Sequence, residues 1–284
     1  MATITNLDSL RTLAGLSQSS RAISQASERI STGLRVNRAS DDPAGMAVAN
    51  DLKTQLTSYN QILTNVAEGQ TVTNLVDSSL SQMVDLLGYM RVAAVAGMSS
   101  LAPGGTDRIA YQEAIDAYVS AFDTIGSNTT WNGTSLMSTA STMSVQTGVN
   151  SGDTTTLTFD KITTSELTIT STSLDVTTSV ATSTAAVAYI DTAIDTLNVY
   201  QTYIGAMANV MESQSTVATN AITSYSAGYG AIMNADFAAE TAKLAAAQIQ
   251  HDGATAMLIQ GNGLNRALVD YLLGGTSTYA PRTM

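Results

Sequence analysis

The chain has 284 residues, with 12 Lys+Arg against 23 Asp+Glu and a formal charge of −11; 12% of its residues are charged and 5% aromatic. That acidic balance argues against nucleic-acid binding, which needs a basic face to displace phosphate counterions. The absence of cysteine and a single histidine, His251, exclude a disulfide framework, thiolate chemistry and a multi-histidine metal site, while three prolines leave room for long regular elements.

The N-terminus lacks a basic start, apolar block and small-residue cleavage site, so no secretory signal peptide is expected. Ile4, Leu7, Leu10, Leu13 and Leu16 recur every three residues. On a 3.6-residue helix such a stripe winds around the axis and needs several neighbours to cover it. Ile23, Ala26, Ile30 and Leu34 then keep ordinary one-face spacing. Five of the nine arginines (Arg11, Arg21, Arg29, Arg35 and Arg38) lie in these first 38 residues. Asp41-Asp42-Pro43 reads as a helix start, with an acceptor at the N-cap and proline at the first helical position. Capping accounts for both acids, and catalysis is not needed to explain them.

From Leu52 a seven-residue series runs through Tyr59, Val66, Thr73, Leu80, Leu87 and Ala94, with Leu56, Leu63, Val76, Met83 and Met90 as companions. Seven heptads with one polar interruption predict a coiled-coil rod, roughly 87 Å long if Asp42 to Ser99 is one helix. Leu101-Ala102-Pro103-Gly104-Gly105 is expected to break it and reverse the chain. Tyr111, Ile115, Tyr118, Phe122 and Ile125 predict a second helix lying antiparallel to the first. Met143 and Val145, then Leu157 and Phe159, alternate with polar residues across Gly148 to Gly152, which predicts a β-hairpin. Leu167, Ile169, Leu174 and Val176 suggest one or two further short strands within the Ser/Thr-rich stretch 151–184. A third heptad series runs Ile190, Leu197, Ile204, Met211, Ala218 and Tyr225. The three helical segments make a long antiparallel bundle.

At the C-terminus Met257, Leu264, Leu268 and Leu272 line one side of a helix expected from about Ala235 to Leu273. Ala238, Ala239, Ala242, Ala245, Ala246 and Ala247 would allow close helix approach. The two terminal helices are expected to pair as a coiled coil, to need other chains to cover their apolar faces, and to be poorly ordered alone. Gly228-Tyr229-Gly230 and Gly261-Asn262-Gly263 read as helix breaks, because they lack the strand-before, helix-after setting of a dinucleotide loop. His251 reads as a surface or interface histidine. No stretch approaches twenty uninterrupted apolar residues, so no membrane span is expected. From Asp107 to Asp195 there are ten acids against Arg108 and Lys161, an acidic middle that should stay in water.

Three blocks carry a family likeness. Ser27-Glu28-Arg29-Ile30-Ser31-Thr32-Gly33-Leu34-Arg35-Val36-Asn37, followed by Ser40-Asp41-Asp42-Pro43-Ala44-Gly45-Met46-Ala47, resembles the N-terminal signature of bacterial flagellin. Trp131-Asn132-Gly133-Thr134-Ser135-Leu136 and Val145-Gln146-Thr147-Gly148 resemble the family's hairpin region, with Trp in place of Phe. Asp236-Phe237-Ala238-Ala239-Glu240, Ala247-Gln248-Ile249 and Gly253 to Asn262 resemble its C-terminal signature. The chain is identified on these residues as similar to a short flagellin without large outer domains.

The resemblance implies a mainly α architecture. An inner coiled-coil domain is expected from 1–41 plus 234–284, a helical bundle domain with a β-hairpin from 42–150 plus 185–233, and a short surface-exposed Ser/Thr-rich segment at 151–184. It implies a structural, non-enzymatic subunit of the extracellular flagellar filament, exported without a cleaved signal and holding no cofactor. The expected polymer-contact residues are Leu7, Leu10, Leu13, Ile23, Arg29, Ile30, Leu34, Arg35, Asp41, Asp42, Leu258, Leu264, Leu268 and Leu272. Implied partners are other flagellin subunits, hook-associated junction and cap proteins, the export apparatus and an export chaperone, with O-linked glycans on Ser/Thr. Arg91-Val92-Ala93-Ala94-Val95-Ala96 aligns with the family's receptor-recognition stretch but keeps only the Arg and the Ala-Val, so Arg91 is a weak candidate. The tail Gly274 to Met284 extends past the family's usual ending. The Asp-Asp-Pro triplet is more typical of the related hook–filament junction proteins, which are the alternative reading; a secreted coiled-coil interaction protein is the other.

Overall fold

The computed structural model describes residues 7–99 and 106–272. Ile4, the expected chain reversal at 101–105 and the tail 274–284 lie outside them. In chain order the elements are α1 (Leu7–Thr32), α2 (Pro43–Gly97), α3 (Thr106–Asn128), β1 (Thr130–Trp131), β2 (Thr134–Ser135), β3 (Ser141–Gln146), β4 (Thr154–Phe159), α4 (Val180–Met233) and α5 (Phe237–Leu272). The chain divides into two compact units, Met1–Lys53 with Ser226–Met284, and Thr54–Tyr225.

In the second unit the heptads become the core. Val66, Leu80, Leu87 and Ala94 are fully buried, as are Val76, Met83 and Met90 of the companion line. Thr73, the polar interruption, is buried too, and its hydroxyl donates to the Gly69 carbonyl at 2.9 Å, so the seam tolerates it. From α3 come Ile115 and Phe122, and from α4 Ile190, Leu197, Ile204 and Met211. Helices of this length draw their stability from such a packed stripe more than from intrinsic propensity.

Two antiparallel pairs sit against this core. β1 and β2 turn on Asn132 and Gly133, both in the left-handed region (φ 47° and 80°) that a tight two-residue hairpin demands. β3 and β4 pair from Ser141↔Phe159 to Gln146↔Thr154, and bury Leu157 and Phe159 on one face. Met143 and Val145 pack against the same cluster.

The stretch 151–184 departs from expectation. Leu167 and Leu174 lie in turns, and Ile169 and Val176 in irregular backbone; none of the four forms a strand. Their backbone bonds close locally, as in Ile169 N–H to Thr164 O at 2.9 Å and Leu174 N–H to Thr170 O at 3.0 Å. Nor is the segment simply surface: Ile169, Leu174 and Val176 are fully buried, while most of the Ser and Thr around them face outward. Side chains of α3 hold it down. The Asp123 carboxylate accepts from Thr164 N–H (3.0 Å) and Thr164 Oγ1 (2.7 Å), and Gln112 Oε1 accepts from Val176 N–H at 2.9 Å. The next helix, α4, starts at Val180, earlier than residue 185, because Ser179 and Thr182 cap it reciprocally: each backbone N–H donates to the other's hydroxyl.

The glycine pairs are a second correction. Gly228-Tyr229-Gly230 lies inside α4 and Gly261-Asn262-Gly263 inside α5. A helical glycine costs about 1 kcal/mol against alanine, which a long packed helix absorbs.

Candidate functional site

The first unit holds all of the residues that the sequence assigns to polymer contact. Its helices α1 and α5 approach closely, with Cα atoms within 8 Å. Small residues allow it: Ala26 on α1 and Ala247 on α5 are buried, but the other five alanines of the expected stripe are exposed. Asp236 opens α5 by accepting from Ala238 N–H at 2.9 Å and Ala239 N–H at 3.2 Å.

Glu240, one turn on, is the polar centre of this pairing. Its carboxylate, 6% exposed, accepts from Lys243 Nζ at 2.8 Å and from Arg29 Nη1 of α1 at 3.4 Å. The Lys243 hydrogen bond, with the charges of Lys243 and Arg29, holds the Glu240 carboxyl below its ordinary pKa against the opposing pull of desolvation. Sequence reasoning placed Arg29 among the contact residues but missed Glu240 as its partner. The available signal was a lone acid in an alanine-rich run.

The joint between α1 and α2 is built from the N-terminal signature. Arg35 donates from Nη2 and Nε to the Ile232 carbonyl (2.7 and 3.2 Å), satisfying the last turn of α4, and reaches Asp42 at 3.5 Å. Arg35 N–H also donates to Met233 O at 2.6 Å, beside the Leu34↔Asn234 bridge. Asp42 caps α2 as expected, accepting from Gly45 N–H at 2.9 Å. A Cβ at position 45 would strike the Asp42 carboxylate, which explains glycine there. Asp41 caps a turn instead, accepting from the N–H groups of Asn37 (3.1 Å) and Arg38 (3.0 Å). Val36, Ala49 and Met233 form a small core beneath, with Leu34 packed against it.

The apolar candidates divide. Ile23, Ile30, Leu34 and Leu258 are half-buried within the unit. Leu10 and Leu13 on α1 are 57% and 55% exposed, and Leu264 on α5 is 67% exposed. Ile249, Met257 and Ile259, unassigned to polymer contact by the sequence reading, are exposed beside them on α5. Leu7, Leu268 and Leu272 lie in the helices, but their side chains are outside the described residues. Arg91 belongs to the second unit, where its Nε donates to Asp191 Oδ1 at 2.6 Å on the surface. His251 is partly exposed on α5, with Nδ1 3.6 Å from Asp252 Oδ1, closer than their adjacency suggests.

Among the described residues no group of three or more His, Cys, Asp or Glu could hold a metal ion, and no helix is long and apolar enough to cross a membrane.

Comparison with known proteins agrees with this layout. The family model of the bacterial flagellin N-terminal helical region matches residues 4–142, and that of the bacterial flagellin C-terminal helical region matches residues 187–272. The chain is 26% identical over 249 residues to a flagellin of Halalkalibacterium halodurans, covering 87% of this chain and 91% of that one. It is 31% identical over 172 residues to the phase 1 flagellin of Salmonella naestved, covering 59% of this chain and only 33% of the relative. A crystal structure of Bacillus cereus flagellin superposes with a TM-score of 0.47 at 22% identity, covering 54% of this chain and 88% of that chain. With the N- and C-terminal helical regions of the family matched in order, and with only a short segment between β4 and α4, the chain belongs to the bacterial flagellin family in a form without large outer domains.

Proposed function

We infer that this chain works by covering the apolar faces of α1 and α5 of one copy with neighbouring copies. It is a structural subunit of a bacterial flagellar filament, an extracellular helical polymer. The observation that carries the assembly reading is the exposure of Leu10, Leu13, Ile249, Met257, Ile259 and Leu264, between 55% and 73% each, on two helices of one unit. Large apolar side chains so placed mark an interaction surface. Each Leu or Ile removed from water contributes about 1.5–3 kcal/mol. Contacts that repeat without closing into a ring extend a filament.

On this reading the residues 1–41 and 234–284 line the interior of the polymer, and 42–150 with 185–233 form the layer around it. The exposed hydroxyls of 151–184 face outward, where O-linked glycans would attach. Arg29, Arg35, Asp41 and Asp42 act by holding the helices and their joint in shape, since their polar groups are engaged within the chain. The role is structural and not catalytic. Hook-associated junction and cap proteins, the export apparatus and an export chaperone are the further partners of such a subunit.

Seeded growth tests the reading. Purified chain added to short filament fragments should lengthen them under electron microscopy. Fragments that stay short would favour the junction-protein reading, for which the Asp41-Asp42-Pro43 triplet is the motivating feature.

A further inference from the structure

Asparagine followed by glycine carries a chemistry of its own. The side-chain amide carbon lies within reach of the next backbone nitrogen, and glycine has no side chain to shield that nitrogen. Whether the pair reacts depends on whether the fold holds the two groups apart. Outside the helices, the described asparagines are Asn37, Asn132, Asn150 and Asn234. The Asn37 amide donates to the Leu34 carbonyl at 3.3 Å, and the Asn150 amide to Asp153 Oδ2 at 3.1 Å. The residues after Asn37, Asn150 and Asn234 are Arg38, Ser151 and Ala235; only Asn132 precedes a glycine.

Asn132 and Gly133 form the tip of the β1–β2 hairpin, and both are exposed. Among the described residues nothing accepts from the Gly133 N–H or bonds the Asn132 amide. A Cβ built on Gly133 would meet nothing within 4 Å, so a ring forming there has room. Attack requires the Asn132 backbone to swing out of its left-handed turn. Only Thr130↔Ser135 and Trp131↔Thr134 hold that turn closed, and so short a ladder opens at little cost. The base is anchored separately: Leu136 is fully buried and its N–H donates to the Thr129 carbonyl at 3.0 Å. The tip can therefore open while the rest of the unit stays folded.

We propose that Asn132 is a site of spontaneous deamidation to aspartate and isoaspartate. Hydroxide takes the Gly133 amide proton, and the nitrogen attacks Asn132 Cγ. The bond from Cγ to the side-chain nitrogen breaks, and ammonia leaves with a proton from water. Water then opens the resulting cyclic imide at either carbonyl. Cleavage between Cγ and the Gly133 nitrogen gives aspartate; cleavage at the backbone carbonyl gives isoaspartate. One water enters, one ammonia leaves, and nothing is oxidised or reduced. Each conversion adds one negative charge, and isoaspartate adds a methylene to the main chain of a two-residue turn whose geometry has no place for it. The change accumulates with the age of a molecule. This inference is independent of filament assembly.

Asn262-Gly263 is the comparator, because the same dipeptide there lies inside α5, where the helix fixes its backbone. The full chain is incubated in mildly alkaline heavy-oxygen water, folded and in urea, with conversion located by peptide mass spectrometry and isoaspartate by methyltransferase labelling. Hydrogen exchange at Gly263 checks that α5 is helical in the folded sample. In urea both asparagines should convert at similar rates. In the folded chain Asn132 should convert within about tenfold of its urea rate, as a loop tip that opens cheaply allows. Asn262 should lag Asn132 by about tenfold or more there. The proposal is overturned if folding slows Asn132 by more than that factor, if Asn132 yields no isoaspartate, or if a helical Asn262 converts as fast as Asn132.

Discussion

Arg29 in α1 meets Glu240 in α5 at 3.4 Å, joining two positions 211 residues apart in sequence. The folded state holds the Glu240 carboxyl below its ordinary value of 4.5. Its contribution is therefore fully present above that value and is lost as pH falls through the lower folded value. Urea titrations across this acid range should show the α1–α5 pairing weakening. Glu240→Gln should flatten that dependence and cost about 1 kcal/mol at neutral pH, after allowance for solvent screening. An unchanged acid slope in the variant would show that the clasp is idle.

Exposed apolar residues should matter only to assembly. Leu13→Asp or Leu264→Asp should change subunit stability by less than about 0.5 kcal/mol, as surface substitutions do. Either should abolish filament growth while leaving helicity by circular dichroism intact. Normal filaments from both variants, imaged by electron microscopy, would remove these positions from the contact surface.

Asp42→Ala should destabilise the start of α2 by about 1 kcal/mol, because Gly45 N–H loses its acceptor. Asp42→Asn keeps an acceptor and should recover most of the loss in thermal unfolding. Equal damage from both substitutions would mean that the ion pair with Arg35 matters more than the cap.

Leu174→Ala should cost 2–5 kcal/mol, roughly the range for a fully buried leucine. Thr172→Ala, two residues away and exposed, should be near neutral. Comparing their denaturation midpoints asks directly whether the Ser/Thr-rich stretch belongs to the core.

The contrast between the heptads and that stretch shows what was legible. A repeat sustained from Leu52 to Ala94 fixes one helix face by arithmetic, and the buried residues fell on it. The same arithmetic over four residues, Leu167 to Val176, could not separate a strand from turns that happen to bury alternate side chains. The decisive bonds there come from Gln112 and Asp123 on α3, and no local pattern records them. The site divides the same way. The exposed Leu10, Leu13 and Leu264 were legible as a winding stripe that two helices cannot cover. Arg35 was legible only as a signature residue, because the carbonyl it caps belongs to Ile232, 197 positions later. Glycine pairs misled, since both sit inside long continuous helices, α4 and α5, that run through them.

The clasp and the joint have a consequence for biogenesis. A nascent polypeptide delivers α1 to solvent long before its mate α5 has been synthesised. Until the end of α4 emerges Arg35 lacks its carbonyl, and until α5 follows Arg29 lacks its counterion. Native structure at the beginning of the molecule is thus conditional on the arrival of its end, and a truncation removing α5 should leave the first helix without a stable home.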